Sequence, residues 1–390
     1  MRISCIHQGH ELYGSDRSFA ETVATIRGAF PAAEIDVVLP REGPLGKLLT
    51  ESASRILLEP VWVLRRRNLL RLAATCLFGL PLATMRAVQR MRSSDLVFIN
   101  TSVVMDYILA ARFFRSKTLL HIHEIPEGMT LRFLRALVCW SGAEIIFNSK
   151  ATQQAFRLPS RFKTSVVYNG LSGPKKFEPA DYDGLRPLRV LMLGRINRIK
   201  GQEILIQAIA SLPAAVRSRL MVRIVGGAYE DKELESAIRT LVIESNLSSA
   251  ITIEPFTPEP GELYSWADVV AVPSHKPESL GRVAIEAMAF ARPTIASAIG
   301  GLVEIVEDGK TGWLVPPGNV ASLASVLQSL VENPRSWFDF GLNARARYLS
   351  HFSEHAASEA ISSILKRKLA PSPASFAVRA SEPTTLDVVQ

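Results

Sequence analysis

The chain carries, directly after the apolar run Val269–Val272, the stretch Pro273-Ser-His-Lys-Pro-Glu278-Ser-Leu-Gly-Arg-Val-Ala-Ile-Glu286-Ala-Met-Ala289. The apolar run predicts a short buried strand, because β-branched residues fit a pleated sheet that is covered on both faces. Prolines break this strand off, and from about Gly281 the apolar residues take helical spacing. The stretch is therefore predicted to be strand, loop and helix, the repeating unit of a parallel α/β sheet.

The two glutamates of this stretch lie on either side of a predicted anion site. Glu278 is on the loop, and Glu286 is inside the helix. Between them, backbone N–H groups point out of the helix start, where the helix dipole favours an anion; they belong to Ser279, Leu280 and Gly281. Carboxylates accept paired hydrogen bonds from vicinal diols. A nucleotide-sugar, with a diphosphate between two sets of hydroxyl groups, fits this arrangement. The alternative is that both acids lie on a solvated helix face.

The flanking residues, Pro-Glu-Ser-Leu-Gly-Arg-Val-Ala-Ile-Glu-Ala-Met-Ala from Pro277, resemble the Glu-x7-Glu signature of retaining glycosyltransferases of family GT4. The resemblance covers roughly Ile3 to Leu365 and is strongest from Val190 to Val315. It implies an α/β chain of GT-B fold, with two Rossmann-like parallel-sheet domains that face each other across a cleft. It also implies transfer of a hexose with retention of anomeric configuration.

Length and composition favour a globular, multidomain protein. The chain has 390 residues, of which 47% are hydrophobic and 21% charged, enough for two full cores. Its three cysteines, Cys5, Cys76 and Cys139, are scattered, so neither a disulfide framework nor a zinc site is indicated. The start of the chain has no signal-peptide layout, which predicts a reducing, cytoplasmic location. No Asp-x-Asp run follows a predicted strand, so we expect neither a metal nor another cofactor.

The net charge of +8 is concentrated in residues 62–92. Apolar residues of this segment alternate with arginines, namely Arg65, Arg66, Arg67, Arg71, Arg86, Arg90 and Arg92. No uninterrupted apolar run there reaches the roughly 18 residues of a membrane span. One interpretation is a basic amphipathic helix on an anionic membrane surface, on the inner face; the other is a helix packed on its own domain. Nucleic acid is not favoured, because the aromatic residues do not interleave with the charges.

A glycine-containing turn follows the first predicted strand, Arg2–Gln8. Gly14 and Ser15 open the next helix, a geometry in which a backbone can approach a phosphate. The resembling family usually has paired glycines here, whereas Tyr13-Gly14 keeps one. A simple tight turn is the alternative. A dinucleotide fingerprint is absent, so a Rossmann dehydrogenase is not indicated.

Polar residues follow several predicted strands of the first half, at the edge where ligands gather in parallel sheets. Asn100 follows the strand that begins at Leu96, and His123-Glu124 follow the strand Lys117–His123. His121 and His123 alternate along this strand and therefore share a face. The resemblance implies that His123 approaches the donor sugar and the acceptor.

The second half repeats the strand and helix alternation after a linker-like segment, Leu171–Pro187. Arg195 lies just past the strand Leu188–Leu193, and Lys200 lies at the next helix start, so both can reach one anion. We name Arg195 and Lys200 the diphosphate clamp, in keeping with the family resemblance; solvated loop cations are the alternative. Further binding residues are expected at Gly194, at Gly226 and at Phe256, which lines the nucleobase in the family or else belongs to the core.

These predictions divide the chain into five parts. They are an acceptor-binding domain (1–172), a linker (173–187), a nucleotide-sugar-binding domain (188–350), a helix that crosses back to the first domain (351–369) and a disordered tail (370–390).

The predicted function is transfer of a sugar from a UDP- or GDP-sugar to a hydroxyl of a glycan or lipid-linked acceptor, in cell-surface polysaccharide or glycolipid synthesis. Glu278, His123, Arg195 and Lys200 are the predicted catalytic residues. Two alternatives stay open. One is a catalytically silent nucleotide-sugar-binding partner in a membrane assembly, and the other is a phosphorylase on the same fold.

Overall fold

The computed structural model describes residues 1–11, 14–64, 69–228 and 232–370, with the backbone alone for 69–77. Three predictions lie partly or wholly outside these residues. They concern Tyr13 of the glycine turn, the side chains of Arg65, Arg66, Arg67 and Arg71 in the basic segment, and the tail from residue 371.

Within the described residues, the first sheet has seven parallel strands in the order β3-β2-β1-β4-β5-β6-β7. The strands are β1 (Arg2–Ile6), β2 (Glu34–Leu39), β3 (Arg55–Leu58), β4 (Leu96–Ile99), β5 (Thr118–Ile122), β6 (Glu144–Phe147) and β7 (Thr164–Val166). The connecting helices are α1 (Gly14–Ala29), α2 (Pro44–Leu49), α3 (Leu69–Arg92), α4 (Met105–Ala111), α5 (Gly128–Ser141) and α6 (Lys150–Phe156).

The second sheet has six parallel strands in the order β10-β9-β8-β11-β12-β13. The strands are β8 (Leu188–Leu193), β9 (Leu220–Val225), β10 (Ile251–Glu254), β11 (Val269–Val272), β12 (Thr294–Ser297) and β13 (Gly312–Val315). Its helices are α7 (Gln202–Ala210), α8 (Ala214–Arg217), α9 (Lys232–Glu244), α10 (Gly261–Trp266), α11 (Arg282–Ala289), α12 (Leu302–Ile305), α13 (Val320–Glu332) and α14 (Phe340–Arg347). A π-helical turn, Tyr348–Phe352, precedes the last helix, α15 (Glu354–Leu369).

Each sheet is buried on both faces, as the apolar strands require. Four clusters of buried apolar side chains cover the faces, two for each sheet. The last helix belongs to the first sheet's core, because Ile361, Ile364 and Leu365 pack with residues of β1 and α1. The observed architecture confirms the predicted fold class of two parallel-sheet α/β domains.

The observed strands differ from the predicted ones mainly at their ends. The first strand stops at Ile6 rather than Gln8, and β5 runs from Thr118 to Ile122 rather than from Lys117 to His123. The edge strand β7 was not predicted, since its three residues are only half-buried and give no apolar run. The turn at Glu307–Gly312 leads into β13, which pairs in parallel with β12.

Candidate functional site

The carboxyl edges of the two sheets face each other, and contacts join them at several places among the described residues. Arg282, at the start of α11, lies against Gly14, because a Cβ built on that glycine would meet Arg282 Cδ at 2.8 Å. Lys276, after β11, lies 3.5 Å from the carboxylate of Glu127, after β5. A further contact is made by Glu304. Ligands of parallel α/β sheets bind at such edges, so this cleft is the candidate site.

The carboxylate of Glu304, on α12, accepts hydrogen bonds from the start of α6 in the first domain. Its oxygens accept from the backbone N–H groups of Lys150, at 2.8 Å, and Ala151, at 2.6 Å. The hydroxyl of Tyr168 donates to the same carboxylate at 3.0 Å. Burial, followed by the nearby Glu304, raises the pKa of Tyr168 to about 12, so the phenol stays a donor. No local pattern in the sequence indicates this contact, because its partners are more than 130 residues apart in the chain.

The loop between β11 and α11 brings Glu278 and Lys200 together. The Lys200 ammonium donates to Glu278 Oε1 at 2.9 Å, and the Ser274 hydroxyl donates to the same oxygen. Both charged side chains are mostly buried. Arg195, the other residue of the diphosphate clamp, is exposed at the end of β8. The structure therefore joins one predicted clamp residue directly to the predicted sugar-binding carboxylate.

Glycines allow the backbone of this loop to pack closely. Gly281 is the N-cap of α11 with φ 99°, and a Cβ there would meet Leu302 Cδ2 at 2.6 Å. The backbone of Gly300 and Gly301 lies directly against that of Glu278 and the residues after it, so a side chain at either glycine would collide with main-chain atoms. Leu280 is a core residue, since its side chain is buried beneath the helix.

The backbone N–H groups of Ser279, Leu280 and Gly281 donate to no described protein acceptor in this structure. They lie at the N-terminus of the eight-residue helix α11, where unpaired N–H groups and the helix dipole favour negative charge. The binding of an anion at this position stays a prediction.

Glu286 lies one turn into α11, and its carboxylate is held by two neighbours. The Tyr264 hydroxyl donates to Oε2 at 2.7 Å, and Arg282 Nε lies 3.4 Å from Oε1. The pKa of Tyr264 is raised well above its usual value by burial and by the Glu286 charge. About a quarter of the Glu286 side chain remains exposed. A buried tyrosine and an arginine thus fix a carboxylate that still reaches solvent.

A chain of buried side chains connects the predicted residues Asn100 and His123 in the first domain. The carboxylate of Asp16 can only accept, so His7 Nε2 donates to Asp16 Oδ1 at 2.8 Å. The other ring nitrogen of His7, Nδ1, therefore accepts from the Asn100 amide at 3.2 Å. The Asn100 oxygen then accepts from His123 Nε2 at 2.9 Å, and the Asn169 amide donates to His123 Nδ1 at 3.3 Å. Both ring nitrogens of His123 are therefore engaged.

His121 and His123 share a face, as predicted, with ring centroids 3.9 Å apart. Burial lowers the pKa of both rings, that of His121 to about 3, and neighbouring histidines lower that of His123 further. Both imidazoles are neutral at physiological pH. Sequence reasoning missed His7 and Asp16, because no local pattern indicates that the first strand's exit and the first turn of α1 meet.

The remaining predicted residues line the same two edges. Gly194 and Gly226 meet at the ends of neighbouring strands, and a Cβ at Gly226 would lie 2.0 Å from the Gly194 oxygen. Ser15 lies in the first turn of α1. Phe256 is 59% exposed in the loop after β10, so the alternative that placed it in the core is wrong.

Two features are absent from the described residues. No group of three or more histidines, cysteines and carboxylates is arranged to hold a metal ion there. No described helix combines the length and the apolar character that crossing a bilayer requires.

Residues 183–347 match the sequence model of the family described as glycosyl transferases group 1. A D-inositol 3-phosphate glycosyltransferase of Thermomonospora curvata is 36% identical over 152 residues, which are 37% of this chain and 35% of that protein. A D-inositol 3-phosphate glycosyltransferase 1 of Catenulispora acidiphila is 34% identical over 205 residues, 48% of this chain and 47% of that protein. The chain thus spans less than half the length of each of these relatives.

Solved structures match over nearly the whole chain. HepE of Anabaena, crystallised in complex with UDP, superposes with a TM-score of 0.78 at 23% identity, over 94% of this chain and 100% of that one. WaaG, a glycosyltransferase involved in lipopolysaccharide biosynthesis, superposes with a TM-score of 0.65 at 16% identity, over 93% and 99%. Residues 183–347 are thus similar to the group 1 glycosyltransferases, and the sheet topology together with the solved structures shows that the chain has the GT-B fold.

Proposed function

We propose that this chain is a retaining glycosyltransferase that transfers a hexose from a UDP- or GDP-sugar to a hydroxyl of a glycan or lipid-linked acceptor. The observation that carries the proposal is the contact between Lys200 and Glu278 beside the N-terminus of α11. A carboxylate suited to sugar hydroxyls, a cation and free N–H groups lie together at one edge of the second sheet. The UDP complex of HepE, a protein of the same fold, supports a nucleotide donor.

In this proposal the diphosphate of the donor lies over the start of α11, with Arg195 and Lys200 on its other side. Its negative charge increases as the bond between the anomeric carbon and the phosphate oxygen breaks. Fixed positive groups that are already in place stabilise that charge without reorganisation. In the free protein the Lys200 ammonium is paired with Glu278, which already desolvates and orients it. The diphosphate of the donor then binds this ammonium.

The two glutamates have different roles in this proposal. Glu278 contacts the sugar, where positive charge develops at the anomeric carbon, and Glu286 contacts the ribose hydroxyls, with Tyr264 and Arg282 fixing its carboxylate. The acceptor oxygen attacks the anomeric carbon on the face from which the phosphate leaves. The electron pair of the broken bond stays on the phosphate oxygen, which takes the proton of the acceptor hydroxyl.

We assign His123 to positioning near the sugar and the acceptor. Asn100 and Asn169 hold its two nitrogens, and burial keeps the ring neutral. A neutral ring with both nitrogens bonded is poorly suited to take a proton. This supports the leaving phosphate as the proton acceptor and gives the His7, Asp16 and Asn100 chain the task of orienting the ring.

Membrane attachment through residues 62–92, at the cytoplasmic face, belongs to the same proposal. Its support is the outward face of α3, where Phe78, Leu82 and Met85 are exposed at helical spacing. Arginines follow at the end of the helix, and an apolar stripe with a basic margin suits an anionic bilayer surface. A lipid-linked acceptor would then be held near the first domain, and a role in cell-surface glycan synthesis would follow.

The diphosphate clamp is tested by calorimetry with UDP and GDP. We expect Lys200→Ala and Arg195→Ala each to weaken nucleotide binding by roughly 1.5–3 kcal/mol, the contribution of a hydrogen bond to a charged group. Lys310→Ala, an exposed lysine on the turn after α12, is the matched control and should leave affinity unchanged. Unchanged affinity in both clamp variants would refute the site. A protein that binds nucleotide but neither hydrolyses nor transfers any tested sugar would instead be the silent partner.

A further inference from the structure

A second cluster of positive charge lies at the opposite, amino-terminal edge of the first sheet. The residues before β5, β6 and β7 and the end of α15 enclose a pocket of about 750 Å3 there. Six cationic side chains line it, namely Arg112, Arg115, Arg161, Lys163, Arg367 and Lys368. One carboxylate, that of Glu144, lies among them. Five positive charges are therefore left without a compensating charge in the pocket lining.

Three of the cations are bound to Glu144. Arg367 lies 2.5 Å from its carboxylate, Lys368 lies 3.2 Å away and Lys163 lies 3.4 Å away. Burial would raise the pKa of Glu144, but Arg367 and Lys368 outweigh it and lower that pKa. Burial lowers the pKa of Lys368 despite the opposing charge of Glu144, and the nearby charges of Lys163 and Arg367 lower it further. Because the three cations share one carboxylate, they can bind a further anion.

The three arginines on the other side of the pocket have no carboxylate partner among the described residues. Arg112 stacks over Trp140, with its guanidinium carbon 5.6 Å from the ring centroid, and Arg161 lies 5.1 Å over Phe162. Arg112 and Arg115 both lie over Gly142, and a Cβ there would be 3.5–3.6 Å from their side chains. Aromatic stacking and packing thus orient guanidinium groups, which bind phosphate oxygens in pairs.

We propose that this basic pocket is a second anion site, separate from the cleft, and that its ligand carries phosphate groups. The volume lies in the range of small-molecule sites, and planar guanidinium groups with two amines suit a phosphate more than a single carboxylate. Two sources of that chemistry fit the surroundings. Trp140, which Arg112 stacks over, is 53% exposed, and Phe113, the residue after Arg112 in the chain, is 71% exposed, as suits a phospholipid headgroup at a bilayer interface. A soluble polyphosphate would be bound by the cations of the pocket and would not need these exposed aromatic side chains.

The test uses the full chain with Arg195→Ala and Lys200→Ala, so that the cleft no longer competes for the probe. Arg65, Arg66 and Arg67 are also replaced with glutamate, so that residues 62–92 do not bind the vesicles. Inorganic pyrophosphate is titrated by calorimetry, and hydrogen–deuterium exchange is followed in segments 112–116 and 139–144. Vesicles of phosphatidylglycerol are compared with vesicles of phosphatidylcholine in sedimentation. We expect binding of pyrophosphate or of the anionic vesicles, together with protection of both segments. If pyrophosphate binds and the anionic vesicles do not, the ligand is a soluble polyphosphate. If the anionic vesicles bind, the ligand is a phospholipid headgroup.

Arg115→Glu with Arg161→Glu should weaken that binding at least tenfold, since neither arginine is tied to Glu144. The matched control is Lys232→Glu with Arg335→Glu, two exposed cations of the second domain that give the same change in net charge. Arg115→Lys with Arg161→Lys keeps the charge and should retain most of the binding, which covers the case in which the glutamate variant does not fold. Absence of binding to either probe, or an equal loss in the control, would overturn the proposal. Because the cleft and the basic segment 62–92 are both disabled in the tested chain, the outcome is independent of the proposed function.

Discussion

The contact of Glu304 with α6 predicts that one carboxylate controls how firmly the cleft is closed. The perturbation is Glu304→Gln, which keeps the shape of the side chain and removes its charge. Glu304 accepts from two backbone N–H groups and one phenol. A hydrogen bond to a charged group contributes roughly 1.5–3 kcal/mol, against about 0.5–1.5 kcal/mol for a neutral one. The glutamine oxygen can still serve one or two of these donors.

We therefore expect the closed arrangement to lose about 1.4–3 kcal/mol, which is a tenfold to roughly 150-fold change in the equilibrium between closed and open forms. The assay is hydrogen exchange at the amides of Lys150 and Ala151, since their hydrogens bond directly to the carboxylate. Protection there should fall by the same factor. Tyr168→Phe removes a single donor and should have the smaller effect.

The control is Glu307→Gln, three residues further along the chain, where the glutamate lies 3.7 Å from Arg347 within the second domain. Exchange at residues 150 and 151 should be unaffected by this change. If Glu304→Gln left both amides as protected as before, the carboxylate would not hold the domains together, and the closed arrangement would depend on other contacts.

Three further predictions concern other parts of the chain. Glu286→Gln should raise KM with a similar kcat, because ribose hydroxyls lie the same way before and during reaction. Glu278→Gln should also lower kcat, because Glu278 contacts the sugar as charge develops. Steady-state kinetics with the donor varied would show reversed roles if the assignment is wrong. Replacing Arg65, Arg66 and Arg67 with glutamate should release the protein from phosphatidylglycerol vesicles, at about 1 kcal/mol per basic residue, and equal sedimentation of the unchanged protein with neutral vesicles would refute this. Burial, despite the opposing charge of Arg282, raises the pKa of Glu21 to about 7. The folded state then retains a proton that the unfolded chain releases, so stability falls as pH rises from about 4.5 to about 7, by about 3 kcal/mol in all. Glu21→Gln should remove this slope from thermal melts, and an unchanged slope would contradict it.

The fold could be predicted from the sequence because its strands are short, uninterrupted apolar runs. Leu188–Leu193 and Val269–Val272 have the same bounds in the sequence analysis and in the structure. Their alternation with helices leaves few arrangements other than parallel sheets. The loop after β11 could also be found, since glycines, prolines and the spaced acids all lie within one continuous stretch.

Contacts between distant segments could not be predicted in the same way. Arg282 lies inside the stretch that suggested the family, yet its approach to Gly14 depends on how two domains meet. His7 and Asp16 are nine residues apart, and only the turn between β1 and α1 joins them. The basic pocket draws on segments from Arg112 to Lys368, so no window of sequence contains its pattern.

The position of α15 has a consequence for the order in which this protein can fold during synthesis. Its residues Ile361, Ile364 and Leu365 fill the same cluster as Ile3 and Phe19, at the opposite end of the chain. The first domain therefore emerges from the ribosome with the part of this cluster that α15 covers exposed, and that part stays exposed while the whole second domain is translated. Exposed apolar strands in such an intermediate favour aggregation. A chain that ends before Ile361 should accordingly be recovered mainly as insoluble protein, although every residue of the cleft is present.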